Sequence, residues 1–150
     1  MKKLCLAVAT LLALSLGQAA RAADADPVLV AADKYLSSLP SDWYAMEPPA
    51  AQQLVENAKP FVLDVRETNE IPSRIPGSVN VSVRALAKSL DKLPQNKAAP
   101  ILVVCKTGFR GGISVSVLRM LGYTNVRTVK GGLDAWEKAG LPLEKVEKKA

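Results

Sequence analysis

Two stretches of the chain are apolar almost without a break: Phe61-Val62-Leu63-Asp64-Val65 and Ile101-Leu102-Val103-Val104. A strand with one wet face alternates apolar and polar residues. A continuous run instead predicts a strand covered on both faces, as in a parallel sheet. Around these runs, apolar residues recur at helical spacing. Val28, Ala31, Ala32, Tyr35, Leu36 and Leu39 predict a packing helix opened by Asp26-Pro27 and ended by Pro40. Pro48 and Pro49 lead into a second helix through Ala50, Leu54, Val55 and Ala58. Ser82 is placed to cap a third, with Val83, Leu86, Ala87 and Leu90 as its apolar positions. A loop over 94–100 follows. Ile113, Val117, Met120 and Leu121 predict one face of a fourth helix, stopped by Gly122. Gly131-Gly132 turns into a last helix that buries Leu133 and Trp136 and ends at Gly140. Short strands at 43–46, 79–81 and 126–129 complete the series.

Strands that alternate with helices predict right-handed crossovers and an α/β fold, with one parallel sheet covered by helices on both faces. In such sheets ligands gather beyond the carboxyl ends of the strands, and Cys105 stands at that end of the second long run. The residues after Pro142 (LEKVEKKA) read as a solvated, frayed tail.

The first residues change the meaning of the charge. The chain has 150 residues and a net charge of +6, which at first suggests a polyanion partner. Lys2 and Lys3, the uncharged run Leu4–Leu16, Gly17 and the small residues of Ala20-Arg21-Ala22 form the three-part pattern of an export signal. The run is shorter than the roughly twenty apolar residues that span a bilayer, which argues against an anchor. Cleavage after Ala22 removes Lys2, Lys3 and Arg21 and no acid, so 20 basic residues become 17 against 14 acidic, a net of +3. Without a dense basic stripe, and with aromatics at 5%, nucleic-acid binding loses its support. The expected organisation is a signal peptide over 1–22, an N-terminal helical extension over 23–42, one domain over 43–143 and a tail over 144–150. The expected location is the periplasm, with no membrane attachment after cleavage.

Cleavage also removes Cys5 and leaves Cys105 as the one cysteine of an exported chain. No internal disulfide can then form, and the residue is either an inert core thiol or a reactive one kept for use. There is no histidine, which excludes a Cys-His couple, a His-ligated metal and a His base. The neighbouring residues decide the matter. In Cys105-Lys106-Thr107-Gly108-Phe109-Arg110-Gly111-Gly112, the glycines let successive N–H groups turn toward one point. A helix N-terminus adds partial positive charge there, and Lys106 and Arg110 add full charges. A thiol at the mouth of such a cradle is expected to ionise readily and act as a nucleophile.

This loop resembles the active-site loop of the rhodaneses, whose single-domain members carry Cys-x-x-Gly-x-Arg. Leu63-Asp64-Val65-Arg66-Glu67, Glu70 and Ile75-Pro76-Gly77-Ser78-Val79-Asn80 are similar to the family's upstream motif. Val129-Lys130-Gly131-Gly132 with Ala135-Trp136, Gly140 and Pro142 are similar to its closing motif. Arg74 departs from the His that many members have there. With an export signal on one small domain, the chain also resembles periplasmic rhodaneses of the phage-shock type. The resemblance implies a sheet of about five strands and sulfurtransferase activity. It further implies that Cys105 carries a persulfide, filled by a small anionic donor such as thiosulfate and emptied by cyanide or a thiol. On this reading the N–H groups of residues 106–110 (Lys106, Thr107, Gly108, Phe109, Arg110) cradle the charged sulfur, and no metal or organic cofactor is needed. The chain is expected to act as a monomer.

Asp64 and Arg66 end the first long strand at the same rim, and their loop-holding role is favoured over a chemical one. Lys106 either steers the donor or is simply solvated. Phe109 either shields the sulfur or packs inward. Arg110 either binds substrate or ties the loop to Asp64, Glu67 or Glu70. Two other functions share the cysteine: a non-catalytic persulfide carrier that docks on a partner, and a cysteine-dependent phosphatase. Phosphatase loops place Arg six positions after Cys, and here position six is Gly111.

Overall fold

The computed structural model describes residues 26–146; residues 1–25, with the expected export signal, and residues 147–150 lie outside the described residues. In chain order the elements are α1 (Pro27–Ser37), β1 (Ala45–Met46), α2 (Pro48–Ala58), β2 (Phe61–Asp64), β3 (Ser73–Arg74), β4 (Val79–Asn80), β5 (Ile101–Val104), α3 (Phe109–Met120), β6 (Val126–Val129), α4 (Gly132–Lys138) and β7 (Glu144–Lys145). Five strands form one sheet in the order β1-β6-β5-β2-β4, and every pair within it is parallel. The two apolar runs are its centre. Phe61 pairs with Ile101 and Asp64 with Val104, so β2 and β5 end level with each other. Both loops that follow them therefore leave at one rim.

Side chains of a strand alternate between the faces of its sheet. Leu63, Val65, Ile101, Val103 and Cys105 share one buried cluster with Val115 and Leu118 of α3, and Tyr35 of α1 packs against it. Val62, Leu102 and Val104 share the other with Ala51 of α2 and with Leu133 and Trp136 of α4. Helices thus cover both faces, and each fully buried aliphatic contributes about 1.5–3 kcal/mol. The same parity places the Cys105 side chain on the α3 face, beneath the start of that helix.

Four local expectations are corrected. No helix starts at Ser82: the N–H groups of Val81 and Val83 donate to the carbonyls of Asp64 and Val65, which prolongs the ladder past the end of β4. The segment then makes two short 3-10 turns, Leu86–Lys88 and Leu90–Lys92. The buried face of α3 is Gly111, Ser114, Val115 and Leu118, whereas Ile113, Met120 and Leu121 are exposed. Close approach of the helix to β6 at Gly111 selects small residues there, so apolar spacing points to the wrong face. The strand predicted at 43–46 is only Ala45–Met46, because Trp43 and Tyr44 adopt positive φ of 52° and 57°. The tail is partly ordered: β7 pairs antiparallel with β3, and Arg74 Nε donates to Glu144 Oε1 at 2.6 Å.

Candidate active site

The rim at the ends of β2 and β5 collects most of the predicted residues. Cys105 follows β5 directly, and its side chain turns under the loop that leads into α3. The thiol is free, and the residue is only 1% exposed. It therefore lies at the floor of the loop and not at its mouth as predicted, since strand parity carries it inward. Two amides reach the sulfur. Gly108 N–H donates to Sγ at 3.2 Å and Gly111 N–H at 3.3 Å. The first intrahelical bond of α3 runs from Gly112 N–H to Gly108 O at 2.9 Å. The Gly111 amide is thus one of the unpaired N–H groups at the helix start, and it carries the positive end of the helix dipole to the sulfur. Of the predicted cradle, residues 106–110, only Gly108 donates to Sγ. Gly111, read from sequence as a flexible turn residue, is the second donor.

Glycines give the loop its shape by close packing as well as by turning. Gly108 has φ of +89°, and a Cβ there would stand 3.2 Å from Val129 O and Gly131 N. A Cβ on Gly111 would collide with Thr128 Oγ1, which itself donates to Val103 O at 3.0 Å. A Cβ on Gly132 would meet Cys105 O, Lys106 O and Gly108 N, each at 2.5 Å. The amides at the start of α4 then clasp the loop: Leu133 N–H donates to Cys105 O at 2.8 Å and Asp134 N–H to Lys106 O at 2.9 Å. The Gly131-Gly132 pair, read as turn geometry, is also the seat of the sulfur loop.

Lys106 and Thr107 are exposed, and Phe109 is 78% exposed, so Phe109 does not pack inward. Of Arg110's three candidate partners the structure selects Glu70, with Nη1 donating to Oε2 at 2.7 Å. That hydrogen bond holds the guanidinium pKa above its ordinary value; burial opposes it, and the charges of Glu70, Cys105 and Glu67 add to it. Asp64 and Arg66 form a different kind of pair, with side chains only 1% and 5% exposed and Nη2 to Oδ2 at 2.5 Å. Arg66 Nε also donates to both carboxylate oxygens at 3.0 Å, and Nη2 reaches Ser73 O at 2.7 Å. The pair thereby holds the loop between β2 and β3.

A cavity of about 570 Å³ opens beside the sulfur loop, with Arg66, Glu70, Lys106, Leu133 and Asp134 among its walls. Another of about 480 Å³ lies between α1 and α3 and holds none of the predicted site residues. Among the described residues no three His, Cys, Asp or Glu side chains are grouped as a metal site would need.

The chain is similar to several sulfurtransferases and rhodanese-like proteins. The thiosulfate sulfurtransferase GlpE of Actinobacillus pleuropneumoniae serotype 3 (strain JL03) is 28% identical over 100 residues, covering 66% of this chain and 91% of that protein. The adenylyltransferase and sulfurtransferase Uba4 of Ogataea parapolymorpha is 32% identical over 90 residues, 59% of this chain but only 23% of that longer protein. The crystal structure of a rhodanese-related protein from Thermoplasma volcanium matches with a TM-score of 0.58 and 30% identity, over 67% of this chain and 96% of that one. The profile of the rhodanese-like domain fits residues 47–139, which include both rim loops and the start of α4, and the chain belongs to that family.

Proposed function

We propose that this protein is a thiosulfate sulfurtransferase that works through a Cys105 persulfide. The observation that carries this reading is a single sulfur at the end of the central strand, met by the Gly108 and Gly111 amides at the N-terminus of α3. In the first step the Cys105 thiolate attacks the outer sulfur of thiosulfate. A new S–S bond forms, the S–S bond of thiosulfate breaks, and sulfite leaves with its electron pair. In the second step cyanide attacks the outer sulfur of the persulfide, thiocyanate leaves, and the thiolate returns. A thiol acceptor follows the same path. No proton shuttle is needed, in keeping with a chain without histidine. Amides that point at the sulfur before reaction stabilise its charge without reorganisation. Lys106 and Arg110 supply positive charge for the donor anion, while Asp64 and Arg66 hold the adjoining loop.

The finer reading is a periplasmic rhodanese of the phage-shock type that acts as a monomer. It is supported by the export pattern over residues 1–22 together with one small domain. A persulfide carrier is the second reading, favoured by Phe109 and Ile113, 78% and 46% exposed beside the loop, where a partner can seat. Phosphatase chemistry has no comparable support: the loop is one residue shorter than such enzymes use.

The deciding experiment is an intact mass of the protein after incubation with thiosulfate. One sulfur atom is gained in the wild type, lost again on adding cyanide, and never gained by Cys105→Ser. Absence of the gain, with hydrolysis of an aryl phosphate instead, overturns the sulfurtransferase reading. A persulfide that forms but resists cyanide and small thiols replaces the enzyme by the carrier.

A further inference from the structure

The loop after β2 carries two carboxylates close to the sulfur loop, and they are turned in different directions. Glu67 accepts from Ser82 Oγ at 2.8 Å and lies 3.4 Å from Arg84. Glu70 closes the short turn Thr68–Glu70 and accepts from Arg110 Nη1. Its place is fixed through the main chain. Arg66 Nη1 donates to Glu70 O at 3.5 Å and Nη2 to Ser73 O at 2.7 Å, while Asp64 already meets the charge of Arg66. Glu70 thus arrives at the rim with its carboxylate unspent and gives it to Arg110. Arg110 precedes Gly111, whose amide reaches the sulfur. Nη1 to Glu70 is the one side-chain hydrogen bond of the Arg110 guanidinium among the described residues.

We propose that Glu70 is a positioning residue: it fixes one edge of the Arg110 guanidinium so that the remaining N–H groups stand ready for the oxygens of the anionic sulfur donor and of the sulfite that leaves. This rests on the sulfurtransferase reading and adds a residue that the reaction does not touch. Side chains that are 26% and 46% exposed form a pair that contributes little to stability, so an effect of Glu70 on donor binding is separable from one on the fold.

Kinetics on the full chain test this. In Glu70→Ala the KM for thiosulfate rises about five- to tenfold, the size of effect that loss of one oriented charge-assisted hydrogen bond gives. The kcat, the melting temperature and the rate at which cyanide unloads a preformed persulfide stay within twofold or unchanged. Glu70→Asp recovers part of the loss. In an Arg110→Ala background Glu70→Ala adds nothing further, because the two act as one unit. An unchanged KM, additive losses, or a fall in kcat together with the melting temperature overturns the proposal. Calorimetric binding of sulfite to Cys105→Ser, with and without Glu70→Ala, gives a readout that needs no turnover, and the double variant binds more weakly by the same factor. If the wild type loads sulfur and Glu70→Ala behaves like it, only the Glu70 assignment falls. If the wild type neither loads sulfur nor Cys105→Ser binds sulfite, both readings fall.

Discussion

The loops after β2 and β5 leave the sheet at the same rim and are held by opposite means. The first is held by side chains: a buried Asp64–Arg66 pair whose guanidinium reaches two main-chain carbonyls, and Asn80, whose Nδ2 donates to Asp64 O and Arg66 O at 2.9 Å. The second is held by backbone: two amides on the sulfur, two amides of α4 on the loop carbonyls, and glycines packed too closely for a methyl group. The difference teaches what each loop can tolerate. A side-chain scaffold fails when one partner is cut away. A backbone scaffold survives cuts and fails when an atom is added.

The largest expected effect breaks the first loop. Asp64→Ala leaves Arg66 buried without its counter-charge, and the loss is about 3–5 kcal/mol in denaturant unfolding. A loss below 1 kcal/mol shows that the loop stands without the pair. Adding one methyl breaks the second loop. Gly132→Ala combines a φ of +62° with three backbone collisions. Strain in the left-handed region and overpacking together cost about 3 kcal/mol, and persulfide loading by mass falls with it. The same loop absorbs truncation: Lys106→Ala and Phe109→Ala keep stability within about 0.5 kcal/mol of the wild type. A Lys106→Ala variant with unchanged thiosulfate kinetics removes that residue from the donor's path.

The smallest effect is a control far from either loop. Asp42 accepts from Arg127 Nη1 at 2.5 Å, and this bond, with that from Tyr44 N–H, holds its carboxyl below the ordinary 3.8. A carboxyl lowered in the folded state stabilises it above the unfolded value, and that share disappears as pH falls below 3.8 through the folded value. Asp42→Asn therefore lowers the melting temperature slightly above pH 3.8, and the two profiles converge as the pH falls below that value. Equal curves for both proteins refute the pairing.

Much of this contrast is readable from sequence, but unevenly. Continuous apolarity marks β2 and β5, and Cys105 at the end of β5 needs only their parallel order to reach the rim. Glycines at 108, 111 and 112 announce a turned backbone. They do not say which amide meets the sulfur, since that depends on where α3 makes its first hydrogen bond. Arg110 has three acids within reach in sequence terms. The choice of Glu70 follows because Arg66 takes Asp64, while Ser82 and Arg84 take Glu67, a competition among residues far apart in the chain. The missing helix at Ser82 has correct spacing but lacks free backbone, since Val65 claims the Val83 amide. The inner face of α3 is misread because contact distance at Gly111, not hydrophobicity, orients that helix.

The clasp by Leu133 and Asp134 has a consequence for how such a chain can diversify. With the Cys105 and Lys106 carbonyls turned outward and occupied, those peptide planes cannot flip to present oxygen to the sulfur unless α4 lets go. The electrical character of the pocket is therefore written in main chain, while Lys106, Thr107 and Phe109 display their side chains to solvent. Side chains at Thr107 and Phe109 can therefore change over generations while the sulfur keeps the same surroundings.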